Sequence, residues 1–483
     1  MFQKLLAKYK SMSKELKAVF WFTFVGFLQK GISVITTPIF TRLLSTDDFG
    51  MFSVYNAYYA VLVIIATLHL HMGVINNAFV KNPASNEKVV SSFQSLSLVI
   101  SGFFLVLAVL LREQLSVWMG LPVAVVIIMF VSFLFVEPYQ TWVIYKRYRY
   151  DYVKPVLLTI GIAVLAPLLS VVAVLLTKGN QGVARIATSG MVCTIVPGAV
   201  LLCSNYKKDK TFYDKDLWKY ALTFNIPLIA HYLSETLLNQ TDRIMINAYL
   251  GTGEAGIYSI AYSVASLFTI FSTALNTAFV PWTYQKLKQK DYPAIAKIGY
   301  VVLVFLAVVL SAMIMFAPEI VAVMAGPEYS GAVYLIPTLG ASVYFGYMYQ
   351  LFSRIELYYE KKSYTVISTV SAAVLNIVLN VWWIPRFGYT AAGYSTLVSH
   401  ILFCVMHYFF YKKVTREHMD SVTVYKGKYL LLISVSVLVT AFAMTLLYNY
   451  IAIRIVAVVA VLMVAVIFRN KIIDTVKMLT GKK

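Results

Sequence analysis

A chain of 483 residues that is 60% hydrophobic, 15% aromatic and only 13% charged is not built as a soluble domain, since those run at about 45–50% apolar and ~25% charged. The formal net charge of +20 invites a nucleic-acid reading, but the cations gather in alternate loops between apolar runs, as the positive-inside rule requires. They set topology and draw anionic lipid heads, so nucleic acid is not an expected partner.

The apolar runs recur from end to end. Fourteen spans are predicted, near residues 17–40, 50–79, 89–111, 117–145, 153–177, 183–204, 218–250, 255–281, 294–317, 330–352, 363–385, 389–411, 428–449 and 451–468. Runs of about 20 residues are long enough to cross a bilayer of ~30 Å. The first run is too long for a cleavable signal peptide and lacks a small-residue cleavage site. Fourteen spans return the chain to its starting side, and both ends are basic, so both termini are expected in the cytoplasm.

Lys4 to Lys17 reads as a basic interfacial helix. In span 1, Gly26, Lys30, Ser33 and Thr37 fall on one helical face. Lys30 is 13 residues from Lys17 and 12 from Arg42, so ~18–20 Å of helix separates it from either end. Span 2 carries His69 and His71. Two residues apart on a helix, they point to different faces and read as hydrogen-bonded packing residues. Span 4 holds Glu137-Pro138-Tyr139-Gln140, with a proline that kinks a helix. Spans 5 and 6 are nearly featureless.

Span 7 is the most polar. His231, Glu235 and Asp242 stand at i, i+4 and i+11, within about 40° of one another on a helix, and Arg243 follows. Glu235 is 16 residues from both Lys219 and Gly251, which is mid-membrane. Ionisable groups at such depth are costly and mark a substrate or ion path. Lys30 and Glu235 lie at matching depth and are expected to pair when no cargo is bound. In span 11, Asn376 and Asn380 are four apart and are expected to hydrogen-bond between helices. Cys193, Cys203 and Cys404 lie inside apolar runs and suggest neither disulfides nor a metal site.

The chain also repeats itself. Thr46-Asp-Asp-Phe-Gly-Met-Phe-Ser-Val54 is matched by Thr252-Gly-Glu-Ala-Gly-Ile-Tyr-Ser-Ile260, with Gly50 falling on Gly256. Residues 112–120 match 318–326 at the same spacing, and Tyr139-Gln140 is matched by Tyr349-Gln350. The expected fold is therefore an all-α polytopic membrane protein with two pseudo-symmetric six-helix lobes. Residues 1–206 would form the N-terminal lobe, 207–412 the C-terminal lobe, and 413–483 two appended helices with a basic cytoplasmic tail.

Some chemistry has no signature here. There is no GxxxxGK[ST] loop for ATP, and no sizeable external loop with paired carboxylates for glycosyl transfer. Neither an enzyme nor a cofactor is expected.

Three stretches resemble a known family: Pro38-Ile-Phe-Thr-Arg-Leu-Leu-Ser-Thr-Asp-Asp-Phe-Gly-Met-Phe52; Thr241-Asp-Arg-Ile-Met-Ile246 with Gly256-Ile-Tyr-Ser-Ile-Ala261; and Asn376-Ile-Val-Leu-Asn380 with Ile384-Pro-Arg-Phe-Gly-Tyr-Thr-Ala-Ala-Gly393. The chain resembles Wzx-type polysaccharide flippases of the multidrug/oligosaccharidyl-lipid/polysaccharide exporter superfamily, over about residues 15–412. The resemblance implies two six-helix lobes around a central cavity in a bacterial cytoplasmic membrane. It implies export of undecaprenyl-pyrophosphate-linked O-antigen or capsule units, with that glycan, membrane lipids and polysaccharide-assembly proteins as partners. Many members have twelve spans where this sequence shows fourteen.

The family has no sharp motif that assigns a site, so the assignment rests on the residues. Lys30, Arg243 and His231 are the candidate substrate-binding groups. Glu235, Asp242 and Glu137 are the candidates for coupling and gating. A cation-coupled multidrug exporter is the alternative, since such proteins would use membrane carboxylates. A membrane glycosyltransferase or polymerase is a third reading.

Overall fold

The computed structural model describes residues 11–456. Among them the regular structure is entirely helical. In chain order the elements are α1 (Lys14–Leu43), α2 (Thr46–Thr67), α3 (Val74–Lys81), α4 (Asn86–Leu110), α5 (Arg112–Met119), α6 (Val123–Tyr148), α7 (Val153–Leu176) and α8 (Gln181–Gly190). A π-helical turn (Met191–Ile195) joins α8 to α9 (Val196–Lys208). There follow α10 (Lys215–Leu250), α11 (Thr252–Lys288), α12 (Tyr292–Met315), α13 (Ala317–Met324), a 3₁₀ helix (Pro327–Leu335), α14 (Ile336–Tyr358), α15 (Lys362–Phe387), α16 (Thr390–His418) and α17 (Gly427–Thr445).

Helices lie at each of the first thirteen predicted spans. Eleven of the described helices are long and apolar enough to cross a membrane. The polar helices α10 and α14 are not among the eleven. The fourteenth span and the Lys4–Lys17 helix fall partly outside the described residues. The exterior agrees with a lipid solvent: Leu110, Leu168, Leu175 and Leu176 are exposed, as a helix surface in hydrocarbon should be.

Local chemistry sets the helix starts. Ser13, Ser45, Asp214 and Asp291 each accept a backbone N–H from the first turn of α1, α2, α10 and α12, which satisfies donors the helix leaves open. Two helix ends share one device. At the end of α6, Tyr150 takes a left-handed φ of 54°, and the Lys146 ammonium sits 2.5 Å from Asp151. At the end of α11, Lys290 has φ 57°, and Lys286 sits 2.7 Å from Asp291. The lysine in each turn holds the aspartate carboxyl below its ordinary range.

The matched segments 112–120 and 318–326 adopt the same element, an eight-residue helix (α5 and α13). The matched glycines meet. A Cβ on Gly50 would fall inside the contact radius of the Thr252 carbonyl oxygen, and one on Gly256 would lie 2.6 Å from the Thr46 carbonyl oxygen.

By contacts the chain forms two compact units, Met1–Gly256 and Ile257–Lys483. In the first, α10 packs on α2, α3, α4 and α5, so packing gathers this helix with the segments before it, whatever the sequence symmetry. The core of this unit joins Phe79, Phe93, Tyr145 and Ala221. In the second, α14 is the buried helix. It packs on α12, α15, α16 and α17, with Tyr344, Tyr347 and Phe352 fully enclosed.

Span 2 is not one helix. α2 stops at Thr67, and residues 68–73 form turns in which Leu68 and His69 have φ of 54° and 49°. The helix resumes as α3. This overturns the expectation that His69 and His71 diverge: off the helix, their rings lie 4.5 Å apart.

Candidate functional site

The candidate groups of the first unit stand on α1, α6 and α10. On α1, Ser33 and Thr37 close on the helix itself, with the Thr37 hydroxyl donating to the Ser33 carbonyl at 2.8 Å. Lys30 is exposed and has no ion pair or hydrogen bond among the described residues. Gln29, Ser33 and Thr36 face a cavity of about 270 Å³, whose far wall includes Ser170, Arg185 and Ser189.

Arg185 lies in the span read as featureless. It is buried, with its guanidinium 3.9 Å from the ring centre of Phe40 and 3.7 Å from that of Phe52. Stacking between two rings keeps an arginine inside an apolar wall. The only sequence signal for it is a cation one turn inside a span.

On α10 the expected stripe does not keep one environment. Glu235 is exposed and His231 half-buried, whereas Asp242 and Arg243 are buried. Arg243 donates to the Asn239 carbonyl at 3.1 Å and to Gln240 Oε1 at 2.9 Å. No ion pair joins Lys30 to Glu235 among the described residues, so the expected pairing is not a feature of this structure.

On α6, Glu137 is fully buried, and its Oε1 lies 2.7 Å from His71 Nδ1. The sequence named both residues but gave no sign that they meet. The helix runs on through Pro138, whose carbonyl accepts from Asn205 at 3.3 Å.

The second unit has polar groups of its own. Asn376 Nδ2 donates to Thr396 Oγ1 at 3.3 Å, and Ser395 donates to Asn380 Oδ1. The two asparagines therefore tie α15 to α16, as their spacing predicts. Glu356 and His407 form a fully buried pair at 2.8 Å. Arg354, which the sequence reading passed over, is buried and donates to Asn276 Oδ1. Among the described residues no group of three or more His, Cys, Asp or Glu is placed to hold a metal.

The described helices bury arginines, carboxylates and histidines beneath an apolar exterior. The family model described as polysaccharide biosynthesis protein matches residues 16–286, more than half of the chain. The chain belongs to the polysaccharide biosynthesis protein family. This bears out the resemblance read from the sequence.

A second model, MatE, matches residues 227–382 of this family member. A Haemophilus influenzae protein named Lsg locus putative protein 1 is 24% identical over 394 residues, covering 80% of this chain and 95% of its own. A probable low-salt glycan biosynthesis flippase of Haloferax volcanii is 22% identical over 223 residues, 45% of this chain and 46% of its own.

Among solved structures, lipid II flippase MurJ in an inward-closed conformation superposes with TM-score 0.70 at 14% identity, over 93% of this chain and 99% of that one. An inward-facing multidrug resistance transporter of the MATE family, described as belonging to the MOP superfamily, gives 0.61 at 12% identity, over 82% and 96%. At these identities the likeness is one of fold: the protein shares its helical architecture with both structures.

Proposed function

We propose that this protein is a flippase. It moves an oligosaccharide carried on undecaprenyl pyrophosphate from the cytoplasmic to the outer leaflet of a bacterial cytoplasmic membrane, by alternating access, for surface polysaccharide assembly. It performs no covalent chemistry on its cargo. The observation that carries this reading is Lys30, a mid-span cation that is exposed and has no ion-pair partner among the described residues of a polysaccharide biosynthesis family chain. An isolated cation at that depth is costly unless an anion visits it.

Lys30 would meet the pyrophosphate first. Arg243, seven residues before the end of α10 at Leu250, would receive it with a guanidinium fork, and His231 would contact the sugars or phosphate between them. Glu235, Asp242 and Glu137 would carry coupling. Polysaccharide-assembly proteins would collect the product. The division into two six-helix lobes with an appended pair is part of the same proposal.

The purified chain in liposomes is expected to transfer a fluorescent undecaprenyl-pyrophosphate oligosaccharide between leaflets, and not to move a cationic dye. Dye transport without glycan transfer would assign the protein to drug export instead.

Topology gives a second expected result. Reporter fusions after Lys14, Lys210 and Lys477 should all report cytoplasm, because alternate loops are basic. An external report at Lys477 alone would mean one span fewer at the C-terminal end.

A further inference from the structure

The apolar run of span 2 is interrupted between α2 and α3. α3 is eight residues long, so ~12 Å of helix separates the break from the Lys81 end of the span. Unwound backbone at membrane depth is tolerated where it is enclosed by protein or lines a wet site, and transporters place ion sites at such interruptions. Two consecutive non-glycine residues with left-handed φ, Leu68 and His69, add strain that the surrounding packing has to offset.

What surrounds the break is polar and incompletely satisfied. Glu137 is fully buried and meets His71 through Oε1 alone, while its Oε2 has no protein partner. His69 stacks beside His71, with its ring centre 5.5 Å from that of Tyr232 on α10, and its Nδ1 is also unpartnered. Asn225 of α10 donates to the Leu68 carbonyl freed by the break, leaving its own Oδ1 unpartnered. His231 Nδ1 makes a fourth unpartnered buried atom. Buried polar atoms are paired in the great majority of cases, so several orphans on and around one turn mark a place where something binds.

We propose that the broken segment 68–73, with His71 and Glu137 at its centre, is a proton-binding site that loads and unloads once per transport cycle. This rests on the flippase reading above.

The charge count supports a proton as the ligand. Neutral His71 with ionised Glu137 carries one negative charge, and one added proton makes the pair neutral whichever atom holds it. Nothing is oxidised or reduced: the proton enters from water on one side and leaves to water on the other. A bare carboxylate in a dry interior is costly, so the occupied and empty sites favour different hydration and hence different arrangements of the segment.

Among the described residues, cations on the helices packed against α6 are engaged elsewhere: Arg185 of α8 stacks on Phe40 and Phe52, Lys81 of α3 lies over the Tyr220 ring, and Lys88 of α4 pairs with Asp214. α10 brings His231, Tyr232 and the exposed Glu235. α2 brings Tyr55 and Tyr59, the π-helical turn Cys193, and α9 Tyr206. α4 contributes the neutral Gln94. Glu87, Arg149 and Lys208 gather around Tyr145 at the end of α6 instead. Among the described residues His71 is the sole ion-pair partner of Glu137. The second unit supplies a contrast. There both carboxylate oxygens of Glu356 lie on His407 Nδ1, at 3.1 and 2.8 Å, between uninterrupted helices. That pair leaves no carboxylate oxygen orphaned, and its one unpartnered atom is His407 Nε2, on the side of the ring away from Glu356.

The test is infrared difference spectroscopy on the full chain in liposomes, between acid and alkaline buffer. A protonated-carboxyl band should appear, vanish in Glu137→Gln, shift in His71→Gln and persist in Glu356→Gln. If Glu137→Gln does not fold, Glu137→Asp should keep a band with a displaced midpoint. A band unchanged in Glu137→Gln, or an unshifted midpoint in Glu137→Asp, overturns the proposal.

A second readout is transfer of the fluorescent glycan under an imposed pH gradient. The gradient should speed the wild type by about tenfold or more, in the range of ordinary coupling energies, and leave Glu137→Gln unaffected. Equal stimulation of the two proteins overturns the coupling role. The band needs no cargo, so a chain that protonates there without moving glycan defeats the flippase reading and not the site. A chain that moves glycan without the band does the reverse.

Discussion

Lys30→Ala is expected to abolish transfer of the lipid-linked glycan while the protein still inserts and folds. Its side chain is exposed and has no ion pair or hydrogen bond among the described residues, so its loss should change stability by no more than about 0.5 kcal/mol. Its loss from a desolvated charge contact with pyrophosphate should cost about 2–5 kcal/mol of binding, a fall of roughly 30-fold or more in transfer rate at limiting substrate. Lys30→Arg should retain partial activity, since the charge stays and the donor geometry changes. Arg243→Ala should weaken transfer less, with an added loss of protein level, because its guanidinium also holds Asn239 and Gln240. Leaflet transfer in liposomes, set against protein level, separates these outcomes. Normal transfer by well-folded Lys30→Ala protein would remove the pyrophosphate role.

Gly50→Ala should destabilise the first unit by about 3 kcal/mol, near the top of the range for overpacking. The new methyl would meet the backbone carbonyl of Thr252, and backbone cannot rotate away as a side chain can. Gly256→Ala should cost somewhat less, because its nearest obstacles are the Thr46 oxygen at 2.6 Å and Gly50 Cα at 3.2 Å. Gly161→Ala is the control. A Cβ there has open space, and alanine in a helix gains about 0.5–1 kcal/mol over glycine. Thermal unfolding in detergent should rank the three. A Gly50→Ala protein as stable as Gly161→Ala would mean the two turns separate readily.

The membrane class and most span positions were readable from one-dimensional spacing, because a bilayer imposes a fixed length and a fixed solvent on each segment. The sequence match of 112–120 with 318–326 survives as two eight-residue helices, since a local pattern of similar residues makes a similar local structure. The interhelical role of Asn376 and Asn380 followed from four-residue spacing on one face.

The proton site was not readable. His71 and Glu137 are 66 residues apart, and an unbroken helix would have kept His71 apart from His69. Only the packing of α10 over the break, with Asn225 donating to the Leu68 carbonyl, shows why the helix can stop there. Arg185 escaped for a related reason. Its burial depends on Phe40 and Phe52, which the fold brings from α1 and α2. Sequence spacing reports how deep a residue sits in the bilayer, because depth accumulates along each helix. Which polar groups meet there is decided by helices remote in sequence, through contacts whose energies depend on angstrom-scale geometry.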